Sequence, residues 1–515
     1  MLQPKLHMND RIKIKTALLS VYSKDHLEPL ARLLEKCNIS IFSTGGTFKF
    51  LQSKGIKATS IESLTTYPSI LGGRVKTLHP KIFGGILWRR DCIDDMDDIK
   101  KYDIPSIDLV IVDLYPFEKT VATTDDESEI IEKIDIGGIT LIRASAKNFK
   151  HVLVVPSTDH YDRLIELLTK KEGCTDLEDR KYFAAQAFNL SSHYDTEIFN
   201  YFNKSEKINV FKRSILKQTP LRYGENPHQE AQFYGELNKI FDQFHGKELS
   251  YNNLVDIDAA MNLIMEFTEP TVAIIKHTNP CGISTRASLR EAYTDALACD
   301  PVSAYGGIVI ANGVVDMKAA EEMNKLFFEI IITDGYENDA LDLLKSKKNR
   351  IILQKKPFTY PCRQFKSILN GVLEQKRDNR SELEGDFQYI TNKKPLQSEI
   401  PELIFANKVV KHLKSNTIAL VKNQQLIGCG MGQTSRVDAL KQAIIKAASF
   451  GFDTKNAVMA SDAFFPFSDS VKIAHEAGIT AIIQPGGSIR DSDSINYCNE
   501  NDISMVFTGI RHFKH

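Results

Sequence analysis

The sequence predicts an α/β protein built on a parallel sheet and organised in more than one domain. Three observations carry this. Short apolar runs that read as strands alternate with stretches whose leucines recur at helical spacing. Glycine-rich and polar words follow those runs at their carboxyl ends, where parallel α/β sheets bind ligands. The chain has 515 residues, 42% hydrophobic and 25% charged, which is ordinary globular composition at a length that exceeds one core.

Residues 14–22 read as a buried strand, with a turn at Ser23-Lys24-Asp25. Leu27, Leu30, Leu33 and Leu34 then mark a helix. Ile39-Ser40-Ile41-Phe42 is a second strand, ending at Ser43-Thr44-Gly45-Gly46-Thr47. Val110-Ile111-Val112 and Val152–Val155 are further strands, and 159–172 reads as a helix. The polar, interrupted segment 203–220 reads as a linker, which places one domain at 1–200 and a second at 201–515. The second has strand signals at 273–276, 306–312, 417–422, 457–467 and 481–487. Residues 376–402, charged and amide-rich, read as a solvated excursion, and no clean repeat is visible.

A net charge of −1 argues against bulk binding to nucleic acid or membrane. No apolar run reaches the roughly 18–20 residues of a membrane helix. The N-terminal stretch MLQPKLHMNDRIKIKTALLS has lysines but no signal-type apolar core. The eight cysteines lie far apart without a CxxC pair, as expected of reduced thiols in a cytoplasmic protein.

In the first domain, Ser43-Thr44-Gly45-Gly46-Thr47 offers backbone N–H groups and hydroxyls to a phosphate, or is a tight strand–helix turn. GGRVKTLHP (72–80) gathers Arg74, Lys76, Thr77 and His79 in one loop, suited to an anion or to water. Asp135 in IDIGG is a helix cap or an acid–base group. Arg143 and Lys147 stand at i, i+4, where one helical face can share an anionic ligand. Tyr115 in DLYPF is a donor or a core aromatic. In the second domain, LRYGENPHQ (221–229) and KELSYNN (247–253) are polar loops, and SDAFFPFSD (461–469) can wall a flat ring or plug a core.

KHTNPCG (276–282) admits three readings. Catalytic zinc of the deaminase kind needs His-x-Glu and Pro-Cys-x-x-Cys; His277 is followed by Thr278-Asn279 and Pro280-Cys281 by Gly282-Ile283-Ser284, so the second thiolate is missing and no metal is expected. Cys281 lacks a local group to activate it and reads as a packing residue. The remaining reading is acid–base work by Lys276 and His277, the ammonium favouring a neutral imidazole.

These words, with RASAKN, SAYGG, PGGS and the terminal RHFKH, occur in an order that resembles the AICAR transformylase/IMP cyclohydrolase family of purine biosynthesis. The resemblance covers nearly the whole chain. It implies an N-terminal methylglyoxal-synthase-like cyclohydrolase domain and a transformylase region of cytidine-deaminase-like units without zinc. It implies 10-formyltetrahydrofolate as co-substrate and a homodimer with shared transformylase sites. It implies that His277 and Lys276 serve formyl transfer, with AICAR at Arg222, Tyr223, Gly306, Glu329, Asn416, Arg436, Phe464 and Arg511. Val437, Asp469, Ser488 and Ile489 match folate-binding positions. For ring closure it implies Lys147 as acid–base lysine, a pocket of Arg74, Lys76, Thr77, Asp135 and Tyr115, and a phosphate cradle of Ser43, Gly45, Gly46 and Thr47.

The chain departs from the family pattern in places. The usual SVSDK loop is SVYSK, with Tyr22 and Ser23. The asparagine of NLYPF is Asp113, the histidine after HPKI is Phe83, RAAAKN carries Ser145, and SAFGG carries Tyr305.

Overall fold

The structure is a computed structural model and describes residues 10–515. The first nine residues of the N-terminal stretch discussed above lie outside the described residues. The chain divides into two compact units, residues 1–216 and 217–515. Among the described residues, no helix is long and apolar enough to cross a membrane.

The first unit holds a five-stranded sheet of β1 (Thr16–Val21), β2 (Ser40–Ser43), β3 (Thr59–Ser60), β4 (Leu109–Asp113) and β5 (Leu153–Val155). Its order is β3-β2-β1-β4-β5 and every pairing is parallel. Around it run α1 (Leu27–Lys36), α2 (Gly45–Ser53), α3 (Pro80–Leu87), α4 (Gly137–Lys147), α5 (Tyr161–Lys170) and α6 (Leu177–Phe202). Both faces of the sheet are covered, which is why its strands read as continuous apolar runs. Ala17, Leu19, Ile111 and Val155 pack on one side with α1 and α5; Leu18, Val110, Val112 and Val154 pack on the other with α3 and α4. Phe83, on α3, packs into the second of these layers.

The second unit is two copies of one arrangement. The first copy runs α7 (Tyr251–Ile264), β6 (Thr271–Lys276), β7 (Asn279–Thr285), α8 (Leu289–Cys299), β8 (Ile308–Ala311), α9 (Met317–Met323), β9 (Ile330–Thr333), α10 (Asn338–Lys345), β10 (Ile351–Lys355). The second runs α11 (Glu399–Lys411), β11 (Ile418–Lys422), β12 (Gln425–Gly430), α12 (Arg436–Ser449), β13 (Val458–Ser461), α13 (Asp469–Glu476), β14 (Ala481–Gln484), α14 (Asp491–Glu500), β15 (Ser504–Phe507). The pairings match step for step. β6 lies antiparallel to β7 and β8, and β8, β9 and β10 are parallel; β11 lies antiparallel to β12 and β13, and β13, β14 and β15 are parallel. One twelve-stranded sheet results, ordered β10-β9-β8-β6-β7-β12-β11-β13-β14-β15, with Phe241–His245 at one edge and Gln388–Tyr389 at the other. Helices α7 and α11 share one face and one apolar cluster. The two halves meet between β7 and β12 at the single pair Ser284↔Gln425. The sequence alone shows no repeat, because the copies share topology and few residues.

The close fit of helix on strand depends on glycine. A β-carbon on Gly282 in β7 would stand 1.8 Å from the Ala296 carbonyl oxygen of α8; one on Gly430 in β12 would stand 1.9 Å from that of Ala439 in α12. The Gly282→Ala variant is expected to lose at least about 3 kcal/mol of stability, because the obstacle is backbone and cannot rotate away. Thermal melting of the purified variant, or its loss from the soluble fraction, checks this.

The segment 376–402 departs from the solvated excursion expected. Glu382 and Thr391 are buried within it, and Glu382 accepts a hydrogen bond from Asn407 Nδ2 at 2.8 Å. Polar composition does not distinguish a hydrated carboxylate from one paired in the interior.

Candidate active sites

In the first unit, the carboxyl ends of β1, β2 and β4 open into a cavity of about 710 Å³. Gly46 and Thr47 of α2, Gly72 to Leu78, Tyr115 and Asp135 to Gly138 line it, with Tyr22, Lys24 and Asp113 at the strand ends. Helix α2 starts without a side-chain cap, so its first N–H groups are open to an anion. The Lys76 ammonium stands over that start, 3.8 Å from where a Gly45 β-carbon would lie. It also rests on Gly73, where any β-carbon would collide with the Lys76 side chain at 2.6 Å. The cradle is thus backbone amide plus one ammonium.

The hydroxyls contribute less than the sequence suggests. Ser43 Oγ donates to the Leu19 carbonyl at 3.1 Å, and Thr47 Oγ1 to that of Val21 at 3.0 Å. Both are spent on joining β2 and α2 to β1, and Ser43 does not line the cavity. Arg74 is exposed and paired with Glu132. Thr77 is buried beside Gly137. His79 caps α3, its Nδ1 accepting from Lys81 N at 3.1 Å.

Asp135 caps the helix and also lines the cavity. Its Oδ1 accepts from the N–H groups of Gly138 at 2.5 Å and Ile139 at 3.3 Å, capping α4, and it faces the cavity. Burial pushes its pKa up, against these hydrogen bonds. Asp113 is likewise raised by burial, with Asp135 adding to the effect, while its Oδ2 accepts from Ser23 N at 2.7 Å. The Tyr115 ring meets that of Tyr22 edge to face at 5.5 Å, with Lys133 about 6 Å from each. Sequence reasoning placed neither Lys24 nor Lys133 here; nothing local marks them.

The pairing of Arg143 and Lys147 on a shared ligand is not what the structure shows. Both are exposed, Arg143 stacks over Phe188, and neither lines the cavity. The cause is helical rise: Lys147 stands nine residues beyond Gly138, about 13 Å along the axis. Ser145 is buried in the same helix, donating to the Leu141 carbonyl.

In the second unit, His277 and Thr278 form the two-residue hairpin between β6 and β7, and Lys276 is the last residue of β6. His277 and Thr278 both have positive φ, 50° and 65°, which is the backbone of a type I′ turn. Asp256 of α7 fixes that turn, accepting from Thr278 N at 2.6 Å; burial raises its pKa while His277 and Lys276 oppose the rise. The His277 side chain is left exposed. Lys276 Nζ donates to the Tyr305 carbonyl at 2.7 Å and lies 3.2 Å from where a Gly306 β-carbon would be. Next to it, Glu329 accepts from Asn253 Nδ2 at 3.2 Å, with Lys247 at 3.9 Å. Cys281 is buried, its thiol pushed up to about 12 by burial, as suits a packing residue. Sequence reasoning missed Asp256, which carries no local motif.

The remaining positions, Arg222 and Tyr223 apart, gather on the same edge of the sheet. Arg436 is buried and paired with Asp462; its Nη1 donates to Ser461 Oγ at 2.9 Å and its Nη2 to Asn416 Oδ1 at 2.9 Å. Phe464 and Ile489 are exposed on the loops after β13 and β14, which are neighbours. Val437 is half-buried at the start of α12 and Asp469 exposed at the start of α13. Ser488 N is held by Asp491 at 3.0 Å. Arg511 is exposed on the tail after β15, stacked on Phe513. Arg222, over the Tyr223 ring, lies in the loop of a separate hairpin, Gln218–Leu221 with Ala231–Tyr234. One expectation needs correcting: Gly306 and Glu329 precede β8 and β9, so in the first copy the cluster lies at amino, not carboxyl, strand ends. The antiparallel β6–β8 pairing brings those ends beside the hairpin.

Two separately folded units, each with its own cluster of titratable groups, define a bifunctional enzyme. Residues 26–140 match the MGS-like domain, and residues 145–446 match the AICARFT/IMPCHase bienzyme family. The bifunctional purine biosynthesis protein PurH of Bacteroides thetaiotaomicron is 57% identical, over 99% of this chain and 100% of its own length. The protein of that name from Caldicellulosiruptor bescii is 46% identical over 97% of this chain, and that from Chlorobaculum parvum 44% over 99%, each over its full length. The chain belongs to the AICARFT/IMPCHase bienzyme family.

Proposed function

We infer that this chain transfers a formyl group from 10-formyltetrahydrofolate to AICAR and closes the product to IMP with loss of water. The observation that carries the reading is the exposed His277 at the hairpin beside Lys276 standing in one unit while the Lys76 cradle and Asp135 stand in the other. The 5-amino group of AICAR is a poor nucleophile, so formyl transfer needs its proton removed as the bond to the formyl carbon forms. His277 is assigned that proton and Lys276 the developing oxyanion. Asn416, Arg436 and Arg511 suit the nucleotide; Phe464 and Ile489, exposed and apolar, suit the flat rings of the folate, with Val437, Asp469 and Ser488 beside them.

Ring closure is assigned to the first unit. The carboxamide nitrogen attacks the formyl carbon, and a floppy chain must be held in reach. The open start of α2 with Lys76 suits the phosphate, and Asp135 is the carboxylate in place to exchange a proton. Lys147 is assigned as the acid–base lysine from the family pattern alone.

A homodimer with shared transformylase sites fits one further observation. Lys276 on β6 and Phe464 after β13 are four strands apart, about 19 Å at the usual strand spacing. A second copy that brings its own hairpin to this edge would complete the site. The reading places the enzyme in the cytoplasm, without a catalytic metal. Assaying the two steps separately, with AICAR and with its formylated product, tests it: ring closure no faster than the spontaneous rate would refute the bifunctional assignment.

A further inference from the structure

The tail after β15 has no regular structure, yet its middle is firmly held. His512 is buried between two carboxylates: Nδ1 stands 2.6 Å from Asp378 Oδ2 and Nε2 stands 2.9 Å from Glu382 Oε2. A carboxylate on each ring nitrogen requires both nitrogens to donate, which is the imidazolium form. Burial alone would lower its pKa; the hydrogen bonds from Asp378 and Glu382 outweigh it and push the value up to about 9. Facing the same group are Asn407, on Glu382, and Arg380, 3.7 Å from the other Glu382 oxygen; Lys411 of α11 donates to the Arg380 carbonyl.

The backbone is fixed with the ring. His512 N donates to the Asp462 carbonyl at 3.0 Å, and Asp462 is the residue paired with Arg436. Ser415 and Lys514 exchange backbone and side-chain hydrogen bonds beside Asn416. Along 511–513 the side chains alternate exposed, buried, exposed, so seating His512 inward turns Arg511 outward.

We propose that His512 is a positioning residue for the nucleotide: clamped by Asp378 and Glu382, it holds the C-terminal tail so that the Arg511 guanidinium meets the phosphate beside Arg436 and Asn416. The proposal rests on the reading of Arg511 as a phosphate ligand. It also gives a task to the segment 376–402, whose buried Glu382 serves no other part of the proposed chemistry.

The test uses the full-length chain and the variants His512→Gln, Arg511→Ala and the double variant. Each is measured for formyl transfer and for binding of AICAR and of its phosphate-free nucleoside, with ring closure as an internal control. His512→Gln is expected to raise KM for AICAR by about ten- to a hundredfold, the size of a lost charge-assisted contact, with kcat nearly unchanged. Affinity for the nucleoside should not move, and the double variant should bind AICAR no worse than Arg511→Ala. Equal weakening of nucleotide and nucleoside, or a fall confined to kcat, would mean a merely structural role and overturn the proposal. A phosphate-selective loss in Arg511→Ala but not in His512→Gln would overturn it alone. No selective loss in Arg511→Ala would sink the phosphate reading and the proposal together. Should His512→Gln fail to fold, Glu382→Gln, which removes one counter-charge and keeps the shape, carries the same expectations. In the native enzyme KM for AICAR should rise as pH passes about 9, where the imidazolium loses its proton; a flat profile there counts against the clamp.

Discussion

Replacing His277 by asparagine is expected to lower formyl transfer by about 10²- to 10⁴-fold while ring closure continues at its native rate. The substitution is chosen for its backbone. Position 277 has φ 50°, where alanine is strained and asparagine is at ease. The second copy supplies the precedent: its hairpin, between β11 and β12, carries Asn423 and Gln424 at φ 54° and 48°, after Lys422. Even the support is repeated, since Gln424 N donates to Glu402 of α11 at 2.8 Å as Thr278 N does to Asp256 of α7. The variant therefore keeps the turn and removes only the imidazole. Separate assays of the two steps check it; loss of both activities in a folded variant would contradict the division of labour between the units.

Asp135→Asn is expected to lower ring closure by a comparable factor, about 10²-fold or more, and leave formyl transfer intact. Asparagine retains an oxygen for the N–H groups of Gly138 and Ile139, so the start of α4 stays capped. What disappears is a buried charge and an exchangeable proton. The sign of the pH effect follows from the raised pKa. The carboxylate exists only above a value higher than the ordinary one, so native ring closure should fall as pH drops through that raised midpoint, and this limb should be absent in the variant. The folded state also binds the proton more tightly than the unfolded chain, so ionised Asp135 costs stability at neutral pH. The melting temperature of the variant should match or exceed that of the native enzyme, which separates lost chemistry from lost fold.

What could be read from the residues was whatever is local. Runs such as Leu109–Asp113 and Leu153–Val155 announce strands buried on both faces, and Ser43–Thr47 announces a strand–helix turn, because periodicity and glycine act within a few positions. The cationic loop at 72–78 and Asp135 line one cavity. The rest depends on three-dimensional neighbours. Whether Thr47 faces a ligand or the Val21 carbonyl is decided by a strand far back in the chain. Lys147 misses the cavity by helical rise, and Asp256 enters the site only because α7 packs beneath the hairpin. The duplication was invisible because Lys276-His277-Thr278-Asn279 and Lys422-Asn423-Gln424-Gln425 share a conformation, not a composition.

The line where β7 meets β12 has a consequence of its own. Backbone pairing there is confined to Ser284↔Gln425, and much of the fastening comes from side chains: Arg286 reaches the Asn423 carbonyl and Gln425 Oε1, and Gln425 reaches the Asp295 carbonyl. Such a boundary has the character of docking between separate polypeptides rather than of a continuous ladder. The second unit is in effect a fused pair of equivalent protomers, in which one presents the Lys276–His277 corner and the other the Asn416–Arg436–Asp462 cluster, so that neither half repeats the other's side chains.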